Sequence, residues 1–308
     1  MSPSKAPIVG PRSPAAEGLP SWRSVLFTGL ALWIASVLVT AITGNLNMVP
    51  TVVLLGSFLV PASGVIWYLD HYQSPELTVA EVLRAFIVGG VLGVLAASLL
   101  ESWLLSEGAL VYLGVGLIEE AAKLAALWFV ARHLARHTVR DGIVLGATVG
   151  FGFAALESSG YAFNALISVQ GSQVSFSLGS LVFTELLRGI LSPVGHGLWT
   201  AILGGVLFGA TRGGRLRLTG RVFGTYLFVA ILHALWDSMR GIASLVTAIV
   251  AARRTPGFGM GGSPIAGPEA GLVGTFFGVE IGGLIVISLI GLAVLAVQWR
   301  RGADPVSA

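Results

Sequence analysis

Glu119, Glu120, Glu157, His196 and His233 stand in strongly apolar surroundings, and together they could do hydrolytic chemistry. The two adjacent glutamates open the string EEAAK, with Lys123 one helical turn later. Each charge at the centre of a bilayer costs about 2.5 to 3.5 kcal/mol on insertion scales, so two carboxylates and an ammonium call for a compensating role. An ion pair of Lys123 with Glu120 at i,i+3, or with Glu119 at i,i+4, is the structural explanation, and it uses one carboxylate only. Neighbours on a helix diverge by about 100°, so one glutamate faces a reacting centre and the other supports it. Glu157 follows Phe153 by one turn in FGFAALESS, His196 precedes Trp199 by three residues in PVGHGLW, and HALWD carries His233 and Asp237 at i,i+4. A lone buried histidine usually bridges helices, and a lone glutamate can sit protonated beside a neighbour. Two histidines and a glutamate from three segments can instead hold a divalent cation, zinc above all, with a position left for water. A further glutamate then takes that water's proton, and Asp237 either ligates or orients His233. Zero cysteines exclude disulfides, thiol nucleophiles and thiolate metal sites.

The elements that position these groups must be membrane helices. The 308 residues are 55% hydrophobic and 11% charged, against about a quarter charged in soluble domains. Apolar runs long enough to cross the hydrocarbon recur along the chain, and lipid offers the backbone no hydrogen-bond partner. The fold class is therefore all-α, a polytopic transmembrane helical bundle. About eight spans are predicted, near residues 24–43, 51–69, 84–103, 109–131, 142–165, 193–211, 221–240 and 271–298. They form one membrane domain, 24–298, after a Pro- and Ser-rich disordered tail, 1–23, and before a short tail, 299–308. The first run is long for a signal-peptide core and lacks a cleavage site, so it reads as a retained span.

Arginines cluster at 132, 136 and 140, at 212, 215, 217 and 221, and at 300 and 301, whereas Glu101 and Glu107 are read as a loop without Lys or Arg. The positive-inside rule then places both tails in the cytoplasm. That parity makes the stretch 176–192, which contains Glu185 and Arg188, a re-entrant or interfacial helix leading to Pro193. Arg253 and Arg254 fall on the outer side against the rule, and the Gly- and Pro-rich stretch 254–270 reads as an outer loop, a lid or a linker. The net charge of +3 belongs to arginines flanking spans, which is membrane orientation and not a nucleic-acid face. Gly146 with Gly150, and Gly205 with Gly209, suit close helix packing. With 1.5 Å of rise per residue, Glu119, Glu157 and His233 fall within roughly 6 Å of the mid-plane of their spans. His196 lies nearer the outer end of its own, so the cluster is expected in the outer half of the bilayer, open to extracytoplasmic water.

In order and spacing, EEAAK at Glu119 to Lys123, FAALE at Phe153 to Glu157, Arg188 with Pro193, His196 and Trp199, and HALWD at His233 to Asp237 resemble the PrsW family. These are bacterial intramembrane proteases, a branch of the group that contains the CAAX prenyl proteases. The resemblance covers roughly residues 80 to 240. It implies a multi-pass metalloprotease of a prokaryotic inner or plasma membrane. Such an enzyme cuts a membrane-associated protein, such as an anti-sigma factor, near the extracytoplasmic side. The CAAX branch has a histidine where this chain has Glu157, and often a bulkier basic residue where it has Lys123, so a prenylated substrate is not expected. The resulting expectation makes Glu119 or its neighbour Glu120 the base, with Lys123 beside them. Glu157, His196 and His233 hold the metal, and Asp237, Arg188, Trp199 and Phe153 support the site. A proton-coupled transporter using the same cluster as a relay, and a non-catalytic scaffold, are the competing readings.

Overall fold

A computed structural model describes residues 18–72, 74–170, 173–254 and 270–302. The expected tail as far as residue 17, the Gly- and Pro-rich loop from 255 to 269 and the last residues, 303–308, lie outside the described residues. In chain order the elements are α1 Trp22–Thr43, α2 Val49–His71, α3 Val79–Ile87, a π-helical turn Val88–Leu92 and α4 Gly93–Leu104. There follow α5 Val111–Ala131, α6 Val139–Leu166, a hairpin of β1 Ile167–Gln170 and β2 Gln173–Phe176, α7 Leu178–Leu191, α8 His196–Gly209, α9 Gly220–Arg254 and α10 Ala270–Arg301. Side-chain oxygens of Ser21, Thr78, Thr138 and Ser177 accept the orphan amide three residues on and so open α1, α3, α6 and α7. Gly44, at φ 65°, closes α1 in the left-handed conformation that glycine adopts freely.

Among the described residues, 7 helical stretches are long and apolar enough to cross a membrane. The 21-residue α5 has the length for another crossing, but Glu119, Glu120 and Lys123 interrupt its apolar run. The protein is a polytopic helical membrane bundle. The Trp22 amide donates to Asp70 at 3.1 Å, the Tyr72 hydroxyl to Asp141 at 3.2 Å, and Arg140 Nε to the Trp299 carbonyl at 3.4 Å. These bonds gather the start of α1, the end of α2, the start of α6 and the end of α10 at one end, the arginine end. The β-hairpin and the loop 105–110 lie at the other, the hairpin end.

The segment expected to be a re-entrant or interfacial helix is built differently. The Ser177 amide donates to the Leu166 carbonyl at 2.7 Å, Arg188 Nε donates to Ser158 Oγ at 2.8 Å, Gly150 abuts His196, and Gly142 abuts Gly204. Together α7 and α8 therefore run antiparallel to α6 along its whole length, as one interrupted crossing. Fourteen residues of α8 rise only about 21 Å, short of a hydrocarbon core of about 30 Å, and α7 supplies the remainder. The interruption falls at Ser192–Val194, where Pro193 has no amide hydrogen, and at Gly195, whose φ −102° and ψ −116° leave the helical region. His196 consequently sits near the middle of this crossing and not near its outer end. Glu101 is likewise not in a loop but in the last turn of α4.

Candidate active site

Glycine contacts set the depth at which the polar groups meet. A Cβ on Gly150 of α6 would run into the His196 carbonyl, and one on Gly116 of α5 would meet the Ala230 carbonyl of α9 at 2.5 Å. Backbones this close seat the first turn of α8 on α6 and hold α5 against α9 one turn before Glu119 and His233.

Lys123 is fully buried, with its ammonium 3.0 Å from Glu119, 2.8 Å from Glu120 and 2.7 Å from His196 Nδ1. It also lies 4.1 Å from the Phe153 ring centroid, where the negative face of the ring favours a cation. An ammonium only donates, so His196 Nδ1 accepts and His196 Nε2 carries the hydrogen it gives to Glu157 at 2.9 Å. Glu157 is further held by the Arg188 guanidinium. His233 Nδ1 lies 3.0 Å from Glu120, while its Nε2 lies 3.6 Å from Glu119 and 3.3 Å from Asp237. Hydrogen-bonding Nδ1 to a carboxylate fixes the tautomer and frees Nε2 as a lone-pair donor, the arrangement found behind metal-bound histidines. Trp199 stacks on His233 with centroids 4.6 Å apart.

The two adjacent glutamates thus have separate duties: Glu120, fully buried, grips Lys123 and His233, while Glu119 faces the histidine pair. One ligand atom from each of Glu119, His196 and His233 lies within 4.8 Å of the others. Two imidazoles and a carboxylate converging from three helices fit a three-ligand divalent site of the zinc type. A metal ion and the Lys123 ammonium would compete for the same lone pair on His196 Nδ1.

Two cavities adjoin the cluster. One, about 400 Å³, is lined by Glu101, Tyr112, Glu119, Phe153, Glu157 and Asp237, and leads toward the hairpin end. The other, about 140 Å³, is lined by Glu157, Arg188, Ser192, His196, Trp199 and Asp237. A third cavity, about 670 Å³, is an apolar groove between α5 and α9 that touches none of these groups.

Every candidate site residue named from the sequence, from Glu119 to Asp237, thus lies in or against one cluster. Sequence reading missed Glu101 and Ser192, which line the cavities, and the anchoring of α7. There Glu185 is buried and accepts the Trp33 indole N–H at 2.8 Å, one turn before Arg188. A carboxylate inside an apolar run marked Glu185, but its partner is 152 residues away. Nothing in the sequence marked Ser192.

The profile of the family described as PrsW family intramembrane metalloprotease matches residues 31–254. The chain is similar to Protease PrsW of Geobacillus kaustophilus, 28% identical over 175 residues that make up 54% of this chain and 69% of that protein. It is also similar to Protease PrsW of Halalkalibacterium halodurans, 26% identical over 195 residues, 60% of this chain and 82% of that one. No solved structure matches. A profile match covering most of the chain, on a buried Glu/His/His cluster carried by membrane helices, establishes that this chain belongs to the PrsW family of intramembrane metalloproteases.

Proposed function

We propose that the protein hydrolyses a peptide bond of a membrane-associated protein, within a prokaryotic cell membrane and toward its extracytoplasmic face; a membrane-bound anti-sigma factor is the candidate substrate. The observation that carries this reading is the convergence of Glu119, His196 and His233 beside a cavity leading to the hairpin end. In it these three residues hold a divalent ion, zinc by donor type, which when bound supplies Lewis acidity to a carbonyl and acidity to water. Glu157 then changes place with Glu119 relative to the expectation from sequence. It lines both cavities, is paired with Arg188, and receives the proton of the attacking water. Glu120 orients His233 through Nδ1, Asp237 stands 3.3 Å from the Nε2 that would face the ion, and Lys123 offsets the negative charge of the glutamate pair. A proton relay would need polar groups on toward the arginine end, where residues 142–152 of α6 and 197–209 of α8 carry no ionisable side chain.

Purified protein in liposomes with a single-pass membrane substrate tests the reading. Glu119→Gln and Glu157→Gln should each lower cleavage by about 10² to 10⁴-fold. Metal analysis separates their roles: Glu119→Gln loses the bound ion and Glu157→Gln keeps it. The opposite pattern would restore Glu157 as ligand and Glu119 as base, and full cleavage by both variants would refute the mechanism.

A further inference from the structure

The smaller cavity contains donors that the proposed reaction has not yet used. Ser192 is 8% exposed and its Oγ has no hydrogen-bond partner among the described residues, although it stands on the cavity wall with Gly195, His196 and Glu157. Trp199, fully buried on the same wall, has an indole Nε1 that also lacks an acceptor. A buried polar group left unpaired costs about 1 to 3 kcal/mol, and two beside one small cavity point to an acceptor that arrives from outside. The start of α8 adds to them. Its N-cap is Gly195, which has no side-chain oxygen, and the Trp199 amide is the one that returns to the Gly195 carbonyl, at 3.1 Å. The amides of His196, Gly197 and Leu198 therefore precede the first intrahelical bond and carry the partial positive charge of a helix N-terminus. A space of about 140 Å³ is a few water volumes at about 30 Å³ each, the size of a peptide carbonyl and its neighbours.

We propose that the break between α7 and α8 binds the oxygen of the scissile carbonyl, with the Ser192 hydroxyl as principal donor and the Trp199 indole N–H and the opening amides of α8 beside it. This rests on the reading of the site as a peptidase centre. As the water oxygen bonds to the carbonyl carbon, one water proton passes to Glu157 and the C=O π pair moves onto oxygen, where these donors stabilise it. The pair returns as the C–N bond breaks, and the leaving nitrogen takes the proton from Glu157, giving an acid and an amine.

The test measures kcat, KM and thermal stability for Ser192→Ala, Ser192→Thr and Trp199→Phe on the liposome substrate, with Glu157→Gln as the inactive reference. Loss of one such donor lowers kcat by about 10² to 10³-fold, so Ser192→Ala should fall that far with KM almost unchanged. Ser192→Thr, which keeps the hydroxyl, should recover most of the rate. Trp199→Phe, which keeps a ring on His233 but no N–H, should lower kcat and leave metal content intact. Should Ser192→Ala fail to fold, Ser192→Val against the equally shaped Ser192→Thr gives the same comparison. Unchanged kcat in Ser192→Ala, or equal losses in the Thr and Val variants, overturns the carbonyl site while leaving the peptidase reading in place. No cleavage by the wild type itself overturns both.

Discussion

Lys123 decides how three carboxylates and two histidines can share one buried space. It is surrounded by Glu119, Glu120, His196 and the Phe153 ring, with no exposed surface. Removing one partner of a buried pair typically costs about 3 to 5 kcal/mol because the other charge is left uncompensated. Lys123→Met should therefore lower the melting temperature by several degrees when measured with a chelator present. It should also regain more stability on addition of zinc than the wild type does, since the variant no longer competes for His196 Nδ1. Equal zinc responses in the two proteins would mean that the metal does not bind where the ammonium sits. At this scale the sequence was only partly legible. The i,i+3 and i,i+4 spacings foretold both glutamate contacts of Lys123, because local helix geometry sets them. Its bond to His196 crosses 73 residues, and only helix packing brings a Glu119 oxygen within 4.8 Å of both histidines.

The helices reach this geometry through small residues. On α6, Gly142, Gly146 and Gly150 each lie against the backbone of α8, and Gly150 does so at His196 itself. Gly150→Ala puts a methyl group into that carbonyl, so α8 must move away from α6 and carry His196 with it. A displacement of about 1 Å in a catalytic group can cost about 10²-fold in rate, and a loss of that order is expected, together with a lower melting temperature. Gly160→Ala on the same helix is the control: a Cβ there meets nothing within 4 Å. It should keep activity and gain about 0.5 to 1 kcal/mol of helix stability. Similar rates for the two variants would show that the α6–α8 contact does not set the site. The spans were legible because length and apolarity are properties of the segment alone. The Gly146 and Gly150 spacing was legible as packing, but its partner helix was not. The union of α7 with α8 escaped sequence reading because Pro193 and Gly195 signal an ending, and only pairing with α6 shows that the path continues beyond it.

For the whole molecule the question is which face supplies water. Between the cluster and the arginine end, α6 and α8 are pressed together and buried almost without interruption from Gly142 to Ala155 and from Gly197 to Gly205. Toward the hairpin end the larger cavity passes Glu119, Glu157 and Asp237 to Tyr112 and Glu101, so among the described residues water has a polar route from that side. In the proposed orientation the arginine clusters face the cytoplasm, which puts the closed end there and the cavity mouth at the exterior. Because the chain has no cysteine, single cysteines report the arrangement directly. Ser98→Cys lies on the cavity wall and Ser106→Cys in the loop beyond α4, while Thr219→Cys precedes α9 at the arginine end. In intact cells an impermeant thiol reagent should modify Ser106→Cys readily and Ser98→Cys more slowly, and Thr219→Cys only after the membrane is opened. Labelling at 106 without labelling at 98 would mean that the cavity is dry and that water reaches the glutamates by another path. Labelling at 219 alone would invert the protein in the membrane and place the cut at the cytoplasmic face.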